Sequence, residues 1–232
     1  MPEQSDGDPG PGSGSDPGSC RKPVHEQVVE GFGTVRVLPL DPYADAGTVH
    51  RWVSAERAVF WGMTDLTRQQ VTETYEHLTG LDTHHAFLVR KDGVPAALLQ
   101  TYEPPADRVG ECYDVRPGDI GVHLLLAPPG PDGHRPGWTS ALLGALFSYL
   151  LPGLDRDRVV VDPDVRNVRA IDRFLRQGFE RGPVVVLPEV DLPDVYLPEK
   201  RAQLAFLPRS VAFPRTSRGS GTRAGPVSGR PY

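Results

Sequence analysis

The chain has 232 residues, 38% of them hydrophobic, which is enough apolar material for one well-buried domain. Its formal net charge of −5 disfavours nucleic acid as a partner and fits a small cationic substrate. Two cysteines, Cys20 and Cys112, are too few for a disulfide framework or a cysteine-based metal site. Neither an apolar leader nor a run of about 18 apolar residues occurs, so we expect a cytoplasmic protein with no membrane partner.

Both ends of the chain are rich in glycine and proline, of which the chain holds 25 each. Such segments bury too little apolar surface to offset the entropy that is lost on ordering. The sequence therefore predicts disordered tails over residues 1–28 and 212–232, with one folded domain over residues 29–211.

The first half of the chain predicts a strand, two helices and a β-hairpin. Hydrophobic periodicity places them, in this order, over residues 32–40, 48–62, 67–80 and 85–104. Thr67 is suited to cap the second helix and Gly80 to stop it. Asp92 and Gly93 separate two apolar runs, which is typical of a hairpin turn.

The second half alternates strands and helices before it ends in two strands. The segments are 119–127 (strand), 137–151 (helix), 157–180 (strand, turn and helix), 184–190 (strand) and 202–208 (strand). Asn167 is suited to cap the helix within 157–180, and Gly178 follows its end. The order β-α-α-β-β-β-α-β-α-β-β, with about seven strands and four helices, predicts a mixed α/β domain.

The stretch GDIGVHLLLAPPGPDGHRPGWTS, residues 118–140, joins a strand that contains a histidine to a helix through a glycine-bearing loop. The start of a helix attracts anions, Gly137 permits close backbone approach, and Arg135 adds positive charge. The side chain of His123 is expected on the face opposite Val122 and Leu124. Such a ring is either a proton acceptor in a pocket or a half-buried residue bonded to a carbonyl group.

The strand order, this loop and the segment VVVDPDVRNVRAIDRFLRQGFE, residues 159–180, resemble the GCN5-related N-acetyltransferase (GNAT) superfamily. The family helix reads N-x-x-A-I-x-x-[FY]-x-x-x-G-F, and the matching residues are Asn167, Ala170, Ile171, Phe174, Gly178 and Phe179. The resemblance implies the GNAT fold, a mostly antiparallel mixed sheet flanked by helices. It also implies transfer of an acyl group from acyl-CoA (acetyl-CoA or succinyl-CoA) to an amine, without a metal.

Six blocks narrow the resemblance to siderophore-biosynthesis acyltransferases, which acylate lysine, hydroxylysine or hydroxycadaverine. The blocks are HRWVSAERAVFWGM, HHAFLV, PGDIGVHLLLAP, PGWTSALL, VVVDPDVRN and PEKRAQLAF. In that family the catalytic pair falls on His123 and Asp164, and we favour His123 as the base and Asp164 as its orienter. Asp162 competes for the acidic role. The family loop [QR]-x-x-G-x-[GA] reads HRPGWT here, with Thr139 at the second glycine.

The resemblance also implies which residues contact the cofactor, and the position of Gln100 and Tyr102 on the strand next to that of His123 indicates contact with the acceptor. The cofactor-binding residues are expected to be Leu124, Leu125, Leu126, Arg135, Gly137, Trp138, Thr139, Ser140 and Asn167. Gln100, Tyr102 and Asp162 are expected to contact the small amine or hydroxylamine acceptor. Two alternatives to the siderophore function stay open: a small-amine acetyltransferase of the aminoglycoside type, and a catalytically silent acyl-CoA-binding module.

Overall fold

The computed structural model describes residues 21–130, 135–192 and 195–214, and this part of the chain forms ten strands and five helices. The strands are β1 (His25–Val29), β2 (Gly33–Pro39), β3 (His84–Lys91), β4 (Val94–Tyr102), β5 (Asp119–Leu126), β6 (Arg158–Val161), β7 (Glu180–Leu187), β8 (Val190–Leu192), β9 (Val195–Leu197) and β10 (Lys200–Pro208). The helices are α1 (Ala46–Val53), α2 (Arg68–Thr79), α3 (Trp138–Ser148), α4 (Val168–Arg176) and α5 (Arg209–Ala212).

Eight strands form one sheet in the order β1-β2-β3-β4-β5-β6-β10-β7, and β8 pairs with β9 as a separate hairpin. Every pair in the large sheet is antiparallel except β5 with β6. The mixed, mostly antiparallel sheet is the one expected from the sequence, with one strand more than predicted.

Helices cover both faces of the sheet. On one face, α3 and α4 pack on the central strands through an apolar cluster that includes Leu143, Leu146 and Phe174. On the other face, α1 and α2 bury a second cluster that includes Trp52 and Tyr75. None of the helices in the described residues combines the length and apolar composition needed to cross a lipid bilayer.

Several local signals in the sequence act as expected. Thr67 forms a capping box with Gln70 at the start of α2. Asp92 and Gly93 both have positive φ, 50° and 82°, as the tight hairpin turn between β3 and β4 requires. The side chain of Asn167 accepts a hydrogen bond from the backbone N–H of Ala170 at the start of α4.

The N-terminal boundary at residue 28 was wrong, because β1 begins at His25 and pairs with β2 along its whole length. Three of its five residues are polar, so composition alone assigned this edge strand to a tail. Val29 nevertheless packs on the core, and the His25 ring lies 5.4 Å from the Tyr149 ring. At the other end, α5 reaches Ala212. Residues 1–20 and 215–232 of the predicted tails lie outside the described residues.

Two further elements differ from the sequence prediction. The helix expected over 48–62 is divided into α1 and a 3₁₀ segment, Glu56–Trp61. The strand expected over 184–190 is replaced by β7, which starts earlier, and by the small β8–β9 hairpin. Neither difference moves the central strands that hold the candidate site.

Candidate active site

His123 lies in the middle of β5, directly opposite Gln100 of β4. Its side chain is 37% exposed and its ring meets the edge of Trp61, with the ring centroids 6.4 Å apart. Val122 and Leu124 pack on the other face of the sheet, against the α3 side. The predicted orientation of the histidine is therefore confirmed, and the ring faces the 3₁₀ segment that follows α1.

Asp162 follows the last residue of β6 and is 3% exposed. Its Oδ1 lies 3.0 Å from Nε2 of His123 and accepts a hydrogen bond from the hydroxyl of Tyr102, also at 3.0 Å. Its Oδ2 accepts from Nζ of Lys200 at 2.7 Å. Burial acts to raise the pKa of Asp162, but the charges and hydrogen bonds of His123 and Lys200 outweigh it and hold this pKa below its usual range. The carboxylate is thus ionised and fully engaged.

Asp164 does not take the orienting position that the sequence led us to expect. Its carboxylate accepts hydrogen bonds from the backbone N–H, Nε and Nη2 of Arg166, at 2.8, 2.9 and 2.7 Å. The hydrogen bond from the Arg166 side chain holds the pKa of Asp164 below its usual value. The cause is local geometry: Asp162 comes directly after β6 and contacts His123 of β5, whereas the side chain of Asp164 accepts from the backbone N–H of Arg166, two residues on, at the start of a turn.

Tyr102 and Gln100 flank the histidine on β4 in different ways. Tyr102 is 2% exposed and donates to Asp162, so it supports the carboxylate instead of facing a substrate, which corrects its expected role. Its ring crosses Gly121, where an added Cβ would lie 2.0 Å from a ring carbon. Gln100 Oε1 lies 3.4 Å from Nδ1 of His123, and Gln100 Nε2 donates to the hydroxyl of Tyr75.

The expected substrate contact at Asp162 also needs correction. With both oxygens engaged and almost no exposed surface, this side chain serves His123 and Lys200. The two acids lie two residues apart and differ in their partners, His123 for one and Arg166 for the other, so the sequence left the choice between them open.

The sheet divides beside the histidine. The β5–β6 ladder pairs only Asp119, Ile120 and Gly121 of β5 with β6, and β5 then continues to Leu126. Since alternate backbone groups of a strand point to opposite neighbours, part of the remaining β5 backbone faces the gap on the β6 side. His123 and Asp162 lie at the point where the strands separate.

The start of α3 lies beside the turn between β1 and β2. Gly137 is the N-cap residue with a φ of 78°, and among the described residues beyond its chain neighbours no atom lies within 4 Å of the position that a Cβ would take. Trp138 packs edge-on against Phe32 at 5.7 Å. A cleft of about 280 Å³ opens here, lined among others by Lys91 and Arg135. The first-turn N–H groups of a helix lack intrahelical partners, so this end can bind an anion.

The other residues expected at the cofactor have the following positions. Leu124 and Leu126 pack on the α3 side, whereas Leu125 belongs to the cluster beneath α1 and α2. Ser140 Oγ accepts a hydrogen bond from Gln177, which links α3 to the end of α4. Thr139 is half-buried in the first turn of α3, and Asn167 caps α4. Of the HRPGWT loop, His134 lies outside the described residues.

Sequence reasoning missed Lys200, although it lies in the matched block PEKRAQLAF. A lysine at the start of a strand carries no sign of its partner, and Asp162 is 38 positions away. Tyr75 was likewise assigned no role beyond its helix, yet its hydroxyl contacts both Gln100 and Trp61. In the part of the chain that the structure describes, no group of three or more histidine, cysteine or acidic residues could hold a metal ion.

A family model described as an acetyltransferase (GNAT) domain matches residues 41–187, more than half of the chain. The chain is 27% identical over 177 residues to the N(6)-hydroxylysine O-acetyltransferase of Escherichia coli, covering 75% of this chain and 51% of that enzyme. It thus spans about half the length of that relative. It is also 26% identical over 173 residues to the aminoglycoside N(6′)-acetyltransferase type 1 of Klebsiella pneumoniae, covering 72% of this chain and 84% of that enzyme.

A solved structure of the aminoglycoside acetyltransferase AAC(6′)-Ib, in complex with paromomycin and acetyl-CoA, has a TM-score of 0.61 to this chain. The two are 24% identical, and the superposition covers 80% of this chain and 99% of the other. At this identity the likeness shows a shared fold. The match to the family model shows that the chain belongs to the GNAT acetyltransferase domain family, and the shared fold agrees with it.

Proposed function

We propose that this chain transfers an acyl group, acetyl or succinyl, from acyl-CoA to the side-chain amine or hydroxylamine of a lysine- or cadaverine-like acceptor in hydroxamate siderophore biosynthesis. The observation that carries the proposal is the half-exposed His123 ring, held by the buried Asp162 where the sheet divides. The relative from Escherichia coli, an N(6)-hydroxylysine O-acetyltransferase, supports this class of acceptor.

Acyl-CoA would supply the thioester carbonyl that the acceptor attacks. Two features of the chain fit such a ligand. The open space at Gly137 allows a phosphate group to approach the backbone at the start of α3, where the helix dipole favours negative charge. The backbone of β5 beyond Gly121 presents N–H groups to the gap, where they can hold an oxygen that gains negative charge. The proposal includes cofactor binding by Gly137 and by the other cofactor-binding residues expected from the sequence.

His123 is the proposed base. Asp162 accepts the Nε2–H of the ring, which leaves the lone pair on Nδ1. Gln100 Oε1, 3.4 Å from Nδ1, can only accept a hydrogen bond, so this tautomer requires the Gln100 amide to turn its oxygen away from the ring. As the acceptor nitrogen bonds to the carbonyl carbon, its proton passes to Nδ1, directly or through water, and the C–S bond breaks to release the thiolate. The proton on His123 then returns to the thiolate or to solvent. Asp162 stabilises the imidazolium that forms in between.

The test is a comparison of kcat/KM across acceptors and donors. The acceptors are hydroxycadaverine, cadaverine, hydroxylysine, lysine and an aminoglycoside, each with acetyl-CoA and succinyl-CoA at pH 7 and pH 9. We expect the hydroxylated amine to be preferred over its parent by a factor that shrinks as pH rises. The reason is that only the unhydroxylated amine, with a pKa of about 10.4, must lose a proton to become a nucleophile. His123→Ala serves as the control for chemistry at this site.

The aminoglycoside-type activity is the second candidate, because this chain covers 84% of the aminoglycoside enzyme against 51% of the hydroxylysine enzyme. If the aminoglycoside proved the best acceptor, the siderophore part of the proposal would fall and acyl transfer would stand. If acyl-CoA bound but no acceptor was acylated, the chain would be the silent binding module.

A further inference from the structure

Lys200, the first residue of β10, shares the carboxylate of Asp162 with the histidine. Its Nζ lies 2.7 Å from Oδ2, while Nε2 of His123 lies 3.0 Å from Oδ1. The lysine side chain is 23% exposed and the carboxylate 3%. One buried negative charge is therefore held between an ammonium group and an imidazole, each on its own oxygen.

The lysine changes what this carboxylate does to the ring. A carboxylate that faces an imidazole alone favours the protonated imidazolium, which has no lone pair left to accept a proton. When an ammonium group already balances the carboxylate, the charged ring gains less from it. The neutral ring then keeps its Nε2–H bond to Oδ1, and so keeps both its orientation and a lone pair on Nδ1.

We propose that Lys200 is a positioning residue of the acyl-transfer site, which balances the negative charge of Asp162 and thereby weakens the preference of this carboxylate for a protonated His123 ring. The proposal rests on the function proposed above. It assigns a role in the reaction to the PEK segment at the start of β10, through a contact with Asp162 instead of with the substrate.

Other charged or titratable groups surround this cluster. Tyr102 donates to Asp162, and its ring stacks on that of His84. Asp107 interacts electrostatically with His123 and Asp162, and Asp164, paired with Arg166, interacts with Lys200. Asp164 is balanced by Arg166, and Oδ2 of Asp107 lies 3.8 Å from Nε2 of His84. Within the described residues, Lys200 is the permanent cation recorded in contact with Asp162.

The experiment measures kcat/KM against pH for wild type, Lys200→Met, Lys200→Gln and Lys200→Arg, using the best acceptor and acyl-CoA found above. We expect the acidic limb of the profile to move to higher pH by about one unit in the Met and Gln variants. This is the lower end of the pKa shift that one nearby charge produces. Activity should recover at high pH. The Arg variant keeps the positive charge and should keep the limb within a few tenths of a unit of wild type.

A structural role gives a different result: activity falls equally at all pH values, or the limb of the Arg variant moves as far as that of the Met variant. Either outcome, or an unmoved limb in both uncharged variants, overturns the proposal. If the wild type acylates no acceptor, the proposed function fails separately. The lysine is then tested by NMR titration of the His123 ring, whose midpoint should rise by about one unit in the Gln variant and stay fixed in the Arg variant.

Discussion

Asp162 and Asp164 are chemically identical and two residues apart, but they have different partners and so invite a direct comparison. Asp162→Asn replaces the carboxylate beside His123 by an amide, which cannot stabilise the imidazolium that forms during proton transfer. We expect kcat to fall by roughly 10². Asp164→Asn is the matched control, because its partner Arg166 is 76% exposed, and we expect a loss of less than about tenfold.

The measurement is kcat for both variants at saturating acceptor, with thermal unfolding to confirm that each is folded. A larger loss at Asp164 than at Asp162 would restore the assignment made from the sequence. Combining Asp162→Asn with His123→Ala should cost little more than His123→Ala alone, because an orienting group has no function without its base.

Gly121 is a second single residue with a defined consequence. A Cβ at this position would lie 2.0 Å from the Tyr102 ring, and that ring is fixed by its hydrogen bond to Asp162. Gly121→Ala should therefore destabilise the protein by about 1–3 kcal/mol, as overpacking does in a dense core, and should lower kcat as well. In α3, Gly144→Ala meets no atom within 4 Å and should stabilise by about 0.5–1 kcal/mol.

Urea unfolding and kcat for the two alanine variants provide the check. Equal stability of the two would mean that the Tyr102 ring can move without cost. Loss of stability at Gly121 without any loss of kcat would separate the packing of this ring from its support of the carboxylate.

At the scale of elements, the parallel β5–β6 pair is held at its start by a buried ion pair. Asp119 is 1% exposed in its side chain, and Arg158 donates to both of its oxygens at 2.7 and 2.6 Å. Burial acts to raise the pKa of Asp119, but hydrogen bonds from Arg158, the Arg116 backbone and Tyr113 lower it below its usual value. The pair fixes the point from which the two strands diverge.

Asp119→Asn should therefore cost about 3 kcal/mol of unfolding free energy at pH 7, because it leaves the guanidinium of Arg158 without its counter-charge. The folded-state pKa of Asp119 is depressed, so its contribution is present above the unfolded value, about 3.9, and is lost as pH falls through the folded value. The difference between wild type and variant should shrink below about pH 4. A difference that is constant from pH 3 to pH 7, in urea titrations, would contradict this.

The elements also explain how far the sequence could go. Periodicity, caps and turns identified the strand of His123, the Asp92–Gly93 turn and the start of α4, because each depends on residues close together in the chain. The choice between Asp162 and Asp164 depends on which carboxylate meets His123, 39 positions from Asp162, and the contact of Lys200 spans 38 positions. Such facts follow from tertiary packing, so a local pattern could narrow the acid to two residues but not select one.

At the scale of the whole molecule, the ordered N-terminal segment is tied to both the sheet and a helix. β1 adds a strand next to β2, and Arg21 donates to both carboxylate oxygens of Asp45 at 2.6 and 2.7 Å, at the start of α1. Asp45 is 5% exposed. The sequence-based boundary at residue 28 would remove this ion pair and most of β1.

Two shortened chains test how much of the ends the fold requires. A chain of residues 21–214 should keep its Tm within a few degrees of the full chain, because it retains every contact described for Arg21 and β1. A chain of residues 29–214 leaves Asp45 buried without its arginine and exposes the edge of β2. Loss of one partner of a buried ion pair costs about 3 kcal/mol, which corresponds to a fall in Tm of about 6–12 °C for a domain of this size.

The full-length variant Arg21→Ala isolates the ion pair and should show part of that fall. If the 29–214 chain melted with the full chain, β1 and its ion pair would be dispensable; if the 21–214 chain melted well below it, residues outside 21–214 would contribute to the fold.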